Sequence, residues 1–205
     1  MLHRTRVRKE DDRVTDWQTR LSHNLEPLLS VPDPRRTAFS AYHDMPYAIF
    51  HYPAEAELEL RREMGMLRTR LTQKGKRVSV ISLADIVCEL IKEDMPIEAI
   101  AEAERDSGIE KLVEQCHSYL VDSKPLADAV IARIPADADR CRDVLLFTRV
   151  GFLFPIYRTS ALVEHLHGRL SIPSVLFFPG SLAGPAGLCF MDVFPPEHNY
   201  RPRIF

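Results

Sequence analysis

Residues Leu145–Gly168 read LLFTRVGFLFPIYRTSALVEHLHG and put an apolar run, a glycine and a proline ahead of a helical pattern. This order predicts a strand, a tight turn and then a helix from about Pro155 to His167. In α/β proteins, ligands bind beside the carboxyl ends of the parallel strands. The turn Arg149–Pro155 is therefore the first place to look for function.

Strands and helices alternate on both sides of this unit. Runs rich in β-branched and aromatic residues predict strands, and apolar residues three and four apart predict helices. Strands are expected at residues 46–52, 77–83, 143–150, 174–180 and 187–191, with the last two paired antiparallel, and N-terminal helices at 15–29 and 54–73. A Pro-Gly turn is expected to stop the strand 174–180.

The predicted fold class is α/β. Several strands are apolar throughout, as in parallel sheets that helices cover on both faces. Residues 96–134 show helical patterns and no strand pattern, which predicts a helical insertion or a lid-like subdomain. Together these features predict one three-layer domain over residues 1–205, with a mainly parallel sheet and a short antiparallel C-terminal strand pair.

Composition narrows the class of protein. A chain of 205 residues with a formal net charge of -2 is large enough for a real core, and its charge balance disfavours direct DNA binding. No segment approaches the ~20 apolar residues of a membrane span, and the basic N-terminus lacks the apolar core of a signal peptide. A cytoplasmic protein without a membrane partner is expected. Its oligomeric state stays open.

The turn after the central strand does not match a phosphate loop. A Walker loop needs G-x-x-x-x-G-K-[ST], whose glycines expose backbone N–H groups to the phosphates. Here Gly151 follows a strand, but the second glycine is missing and the loop carries the bulky residues Phe152, Leu153 and Phe154. The sequence therefore predicts no nucleotide cofactor at a Walker-type site.

Two arginines and two phenylalanines remain as binding candidates at this turn. Arg149 and Arg158 either pair with carboxylates of the same chain or form a pocket for an anion or an acidic partner. Phe152 and Phe154 either anchor a partner protein or lie buried in the core. Near the C-terminus, Arg201 and Arg203, beside Tyr200, either contact the phosphate backbone of a nucleic acid or belong to an exposed tail with solvated charges.

No catalytic or metal-binding constellation emerges, and the sequence leans towards a protein that is not an enzyme. The dispersed cysteines, Cys88, Cys116, Cys141 and Cys189, predict neither a disulfide nor a zinc site. His165 and His167 are two residues apart and face different ways on a helix, which is poor spacing for metal ligands. The pairs Cys116–His117 and His43–Asp44 have the residue types of a catalytic pair, but an adjacent helical pair and a turn are the simpler interpretations.

Four stretches in order carry a resemblance to a known family: PYAIFHYPAEAELELRREMGMLRTRL, KRVSVISLADIV, TRVGFLFPIYRTSALVEHLHGRLSIPSVLFFPG and NYRPRIF. Through them the chain resembles the BrxB family of the BREX (bacteriophage exclusion) defence systems, from about Trp17 to Phe205. The most specific elements are R-V-G-x-x-x-P, P-x-V-L-F-F-P-G and the N-Y-R near the end. The motif positions are Arg149, Gly151, Pro155, Arg158, Pro179, Gly180, Asn199, Tyr200 and Arg201.

The resemblance implies a role in a system and assigns no catalytic residue. Such systems place this protein beside a large ATPase, an adenine methyltransferase and an alkaline-phosphatase-like protein of the PglZ type. We expect an accessory or adaptor subunit that binds the PglZ-type protein, with other BREX components as further partners. The alternative is a divergent nucleotide- or phosphate-binding domain that uses Arg149, Arg158 and Arg201.

Several motif positions also have structural interpretations. Gly151 and Gly180 are expected to adopt backbone angles that other residues disfavour. Pro155 is expected to begin the helix, since proline suits the first helical turn. Tyr200 is expected to bury its ring and anchor the C-terminal tail.

Overall fold

A computed structural model of the chain describes residues 16–39, 46–184, 187–198 and 200–205. Within these ranges, six strands form one sheet: β1 (Tyr47–Tyr52), β2 (Arg77–Ser82), β3 (Asp143–Thr148), β4 (Ser174–Ala183), β5 (Gly187–Phe190) and β6 (Arg203–Ile204). Their order is β2-β3-β4-β1-β6, with β5 attached to β4. All neighbours in the main order run parallel, and β5 runs antiparallel to β4. The predicted α/β class is confirmed.

The first strand in the chain occupies a central place in the sheet. β1 pairs with β4 from Tyr47↔Ser174 to Tyr52↔Pro179, and its other edge receives β6. β2 lies at the far edge and reaches the rest of the sheet only through β3. Sequence order and spatial order therefore differ, because the chain crosses two strand positions between β1 and β2.

Seven helices are described, and we number them along the chain: α1 (16–30), α2 (Glu57–Gln73), α3 (Leu83–Asp94), α4 (Ile97–Ser107), α5 (Ile109–Ser118), α6 (Leu126–Ala132) and α7 (Thr159–Leu166). α1 contains a π-helical turn at Leu21–Leu25, and another such turn follows α5. Local signals explain several ends. The Ser82 hydroxyl accepts the Asp85 N–H at the start of α3, and Gly75 with a φ of 82° ends α2.

Helices cover both faces of the sheet, which confirms the three layers. On one face α1 and α2 contribute the fully buried residues Trp17, Leu25 and Leu67, which pack on Phe50 and Phe177 of the strands. On the other face α3, α5, α6 and α7 pack on the side chains that alternate with those, such as Ile49 and Phe147. Alternate residues of β1 thus feed different cores, as the pleat requires.

Helices α5 and α6, from the segment 96–134, pack on the same face of the sheet as α3 and α7. Leu112, Cys116 and Leu120 of the α5 region share one hydrophobic core with the sheet, together with Val130 of α6. This favours the insertion over the detached lid of the two sequence interpretations. α4 differs, because none of its residues is buried.

β4 runs three residues further than predicted. Its first part, Ser174–Pro179, lies between β1 and β3, and its second part, Gly180–Ala183, pairs antiparallel with β5. The Pro-Gly dipeptide therefore marks an exchange of partners, and the prediction that it stops the strand is wrong. The predicted antiparallel pair is confirmed.

Candidate functional site

The turn that follows β3 lies at the carboxyl end of the parallel sheet. β1 ends at Tyr52 and β3 at Thr148, and the parallel part of β4 ends at Pro179, which pairs with Tyr52. Two cavities open here: residues 149–152 contribute to the lining of one, and residues 154–159 to that of the other. This is the edge at which α/β proteins bind ligands.

The backbone of this turn departs from the prediction. Arg149 adopts a left-handed conformation (φ 59°, ψ 36°), and Val150–Leu153 form a 3-10 turn. The Phe154–Pro155 peptide is cis, and α7 begins only at Thr159. The prediction that Pro155 begins the helix is wrong. A residue before proline avoids the helical region, and Phe154 is accordingly extended (φ -78°, ψ 139°).

Only one of the two motif glycines has the predicted backbone role. A Cβ built on Gly151 would meet Pro179 Cγ at 3.6 Å, an ordinary contact, and Gly151 is not among the glycines with positive φ. Gly180 has a φ of 142°, and a Cβ there would lie 1.9 Å from the carbonyl oxygen of Cys189. The prediction is therefore wrong for Gly151 and confirmed for Gly180, where β5 presses against β4.

The larger cavity is an aromatic groove of about 420 Å³. The residues that line it belong to the segments 154–159 and 188–197, and Phe178 and Tyr200 lie beneath. We call this cavity the aromatic groove. The ring of Phe154 lies on that of Phe194 with centroids 4.0 Å apart, and 5.7 Å from that of Phe190. Phe178 meets Phe190 edge-on at 5.5 Å, so the lining continues into the core.

The second cavity, of about 290 Å³, lies between the start of α2 and the turn 149–152. Its charged groups are already paired. Arg61 Nε donates to Glu57 Oε1 over 3.0 Å, and Glu57 also accepts the Tyr52 hydroxyl. Burial, with the neighbouring Glu57 carboxylate, raises the pKa of Tyr52. Met191 and Phe152 supply its apolar wall.

The three candidate arginines do not line one shared cavity. Arg149 lines the second cavity, and its Nη1 donates to Asp85 Oδ1 over 2.8 Å. Arg158 lines the aromatic groove, is exposed, and has no ion pair or hydrogen bond from its side chain within the described part of the chain. Arg201 is exposed and lines neither cavity. The sequence left two interpretations open for Arg149 and Arg158: pairing with carboxylates of the same chain, or a pocket for an anion or an acidic partner. Arg149 fits the first interpretation, and Arg158 remains available for the second.

Both candidate phenylalanines are exposed, Phe152 by 42% and Phe154 by 44%, so neither is buried in the core. They have company. Of the ten most exposed large hydrophobic side chains in the described ranges, five lie on the segments 150–154 and 180–194. We call these five the carboxyl-end apolar surface: Phe152, Phe154, Leu182, Met191 and Val193.

Tyr200 anchors the C-terminal segment as predicted. Its ring is buried beside Phe178, with centroids 6.0 Å apart, and its hydroxyl donates to Glu197 Oε2 over 3.2 Å. Burial, together with the Glu197 carboxylate, raises the pKa of Tyr200. Tyr200 is therefore a buried part of the floor of the aromatic groove, and its hydroxyl is already bonded to Glu197.

The sequence analysis missed one wall of this site and one polar side chain that bonds Gly180. One is the wall Phe190–Glu197, although the run FMDVFPPE carries two aromatic residues and two prolines that could have revealed it. The other is His51 on β1, whose Nε2 lies 2.9 Å from Arg20 Nη1 and whose Nδ1 lies 3.3 Å from the Gly180 carbonyl oxygen. Because a guanidinium only donates, Nε2 accepts and Nδ1 carries the hydrogen. Burial, reinforced by the Arg20 charge, lowers the pKa of His51 to about 4 and keeps the ring neutral.

The remaining candidates have local partners. His117 Nδ1 lies 2.9 Å from the carbonyl oxygen of Ile156, and burial raises the pKa of the neighbouring Cys116 thiol. His165 bonds the Tyr157 hydroxyl and His167 the Tyr47 hydroxyl, so they face different ways. Among the described residues, no three His, Cys, Asp or Glu side chains group as metal ligands, and no helix is long and apolar enough to cross a membrane. The motif residue Asn199 and the pair His43–Asp44 lie outside the described residues.

The fold and the site define an α/β protein with a mainly parallel sheet, helices on both faces, and an apolar, aromatic surface at the turn where P-loop α/β proteins carry a phosphate loop. The chain belongs to the BrxB family, since the family model "BREX protein BrxB" matches residues 79–204. It is thereby a member of a family of BREX phage-defence proteins, as the resemblance implied.

Two curated relatives carry the same description. The BREX protein BrxB of Escherichia coli O9:H4 (strain HS) is 26% identical over 137 residues, which is 66% of each chain. That of Bacillus cereus (strain H3081.97) is 24% identical over 156 residues, 75% of this chain and 79% of the relative. The match thus spans about two thirds of the length of the E. coli protein. No solved structure matches the chain.

Proposed function

We propose that this chain is a non-catalytic adaptor subunit of a BREX-type defence system in the cytoplasm, and that it binds the PglZ-type alkaline-phosphatase-like component. Membership of the BrxB family supports the system. The observation that supports binding is the carboxyl-end apolar surface, which exposes five large hydrophobic side chains. Clustered exposed apolar side chains mark sites of protein interaction far more often than isolated ones do.

The chemistry of this surface suits a protein partner. Interface centres are enriched in aromatic residues, methionine and arginine, and depleted in other charged residues. Phe152 and Met191 both line the second cavity, and the ring centroid of Phe154 lies 4.0 Å from that of Phe194. Because its ring already packs against Phe190 and Phe194, Phe154 can fill a partner's pocket with little loss of conformational freedom.

Co-expression with the PglZ-type protein encoded in the same defence system tests the proposal. We expect a complex of defined mass in size-exclusion chromatography with light scattering. The variants Phe152→Asp and Phe154→Asp should each weaken the complex by at least about tenfold, because each places a charge in an apolar contact. The control is Met66→Asp, since Met66 is 50% exposed but lies on α2, outside the apolar surface.

The outcome that contradicts the proposal is specific. If the wild-type proteins elute separately while each remains folded, the adaptor function with this partner is wrong. If the complex forms but tolerates both phenylalanine variants as well as it tolerates Met66→Asp, the partner binds at another surface. Circular dichroism of each variant establishes that it is folded.

A further inference from the structure

The aromatic groove combines an apolar cavity with the guanidinium of Arg158, which has no partner in the described ranges. Resting on the proposed function, we propose that it binds a stretch of the partner protein in which a large aromatic or aliphatic side chain is followed closely by Asp or Glu. The apolar side chain would enter the groove, and the carboxylate would pair with Arg158. Three features of the groove lead to this chemistry.

The first feature is an apolar cavity with a fixed floor. Phe178 and Leu188 beneath the groove belong to the core and are almost completely buried, as is Tyr200. The groove's volume of about 420 Å³ lies in the range of pockets that enclose a whole ligand group. Phe154 and Phe194 line its wall with aromatic rings, which suits an aromatic or branched aliphatic anchor.

The second feature is the state of the polar groups around the cavity. The Tyr157 hydroxyl lies 3.0 Å from His165 Nδ1, and the Tyr200 hydroxyl donates to Glu197. Both hydroxyls are therefore engaged within the chain and do not need a ligand. The guanidinium of Arg158 is different, because it lines the groove without an ion pair or hydrogen bond in the described ranges.

The third feature is the sign and number of the charges. A free arginine at the edge of an apolar cavity favours a carboxylate, with which it forms paired N–H···O bonds. Glu197 also lines the groove and would repel a run of phosphates. Among the described residues that line the groove there are thus one unpaired cation, Arg158, and one anion, Glu197. This combination suits a single acidic side chain and disfavours a nucleic-acid backbone, which needs several cations.

Two blocked tetrapeptides probe this directly: acetyl-Ser-Phe-Asp-Ser-amide and acetyl-Ser-Phe-Lys-Ser-amide, titrated into the ¹⁵N-labelled full-length chain. We expect the Phe-Asp peptide to shift the amide signals of residues 154–159 and 188–197 and to bind about three- to tenfold more tightly than the Phe-Lys peptide. Arg158→Glu should reverse this preference. Arg68→Glu, an exposed arginine on α2 with no side-chain partner in the described ranges, should leave it unchanged.

Equal binding of both peptides to the wild type and to Arg158→Glu would overturn the proposal, as would signal shifts confined to other regions. The same variant also separates this inference from the proposed function. If the wild-type chain forms a complex with the PglZ-type protein, and Arg158→Glu and Phe154→Ala leave that complex intact, the groove is not the binding site. The proposed adaptor function then still stands. A reversed peptide preference without any such complex supports the groove and rejects the named partner.

Discussion

At the scale of single residues, Gly180 determines how closely β5 approaches β4 beside the candidate site. It stands where β4 leaves its parallel neighbours and takes up β5, directly after Pro179. The carbonyl oxygen of Cys189 occupies the space that a side chain would need, and the positive φ adds strain for any other residue. The position of β5, and with it the wall of the aromatic groove, therefore depends on a hydrogen atom at this site.

Gly180→Ala should destabilise the protein by more than about 1 kcal/mol, because alanine at a positive φ is strained and its Cβ would collide with backbone. Urea denaturation followed by circular dichroism measures this. Gly65→Ala is the matched control, since Gly65 lies inside α2 with nothing within 4 Å of the added Cβ. That control should gain about 0.5–1 kcal/mol from better helix propensity. A stable Gly180→Ala would show that the β4–β5 crossing is looser than described.

His51 gives the stability of the protein a pH dependence. Its pKa is about 4 in the folded chain and about 6.5 when unfolded, so between these values the unfolded chain binds more protons. Stability should therefore be full above pH 6.5 and fall as the pH drops from 6.5 towards 4. Since the ring is only partly buried, solvent screening limits the expected loss to about 1–2 kcal/mol.

His51→Gln isolates this contribution. Glutamine can accept from Arg20 and donate to a carbonyl, but it does not titrate in this range. Its free energy of unfolding, measured from pH 7 to pH 4, should fall less steeply than that of the wild type by the same 1–2 kcal/mol. Parallel curves for the two proteins would mean that His51 protonates in the folded state without penalty.

At the scale of elements, the strands could be predicted well and the site only in part. β1, β2 and β3 are runs of apolar and β-branched residues, and their expected limits differ from the observed ones by one or two residues. Local composition suffices for β1 and β3, because strands that are buried on both faces need apolar side chains throughout. β2 lies at the edge of the sheet and is partly exposed, and its β-branched residues are the local signal. The start of α7 was misplaced because a proline fits a first helical turn and equally a turn before the helix.

The missing parts of the site depend on contacts between distant residues. Arg149 pairs with Asp85 on α3, 64 positions earlier, and Phe154 stacks on Phe194, 40 positions later. No local pattern contains such a pairing. The sequence therefore located the turn and its arginines correctly but left open which charges are paired and which rings are exposed.

At the scale of the whole molecule, the order of the strands places β1, from the N-terminal part of the chain, beside the C-terminal strand β6. β1 lies between β4 and β6, so residues 47–52 hold the C-terminal strand in place. The family model covers residues 79–204 and thus omits β1, α1 and α2. Yet α1 and α2 supply the helical side of one of the two hydrophobic cores. Residues 79–204 carry the family pattern and line the aromatic groove, but they do not form the complete sheet, and the second cavity also needs Glu57 and Arg61 of α2.

A chain division at Gly75 tests the prediction that residues 1–205 form a single domain. The fragment 76–205 should show no cooperative thermal transition, because β4 loses its partner β1 and a face of the sheet loses its helices. Co-expression with residues 1–75 should restore a folded complex, since the break falls in the turn between α2 and β2. A fragment 76–205 that unfolds cooperatively on its own would instead divide the chain into two domains, and would place the aromatic groove and Arg158 in an independently folding unit.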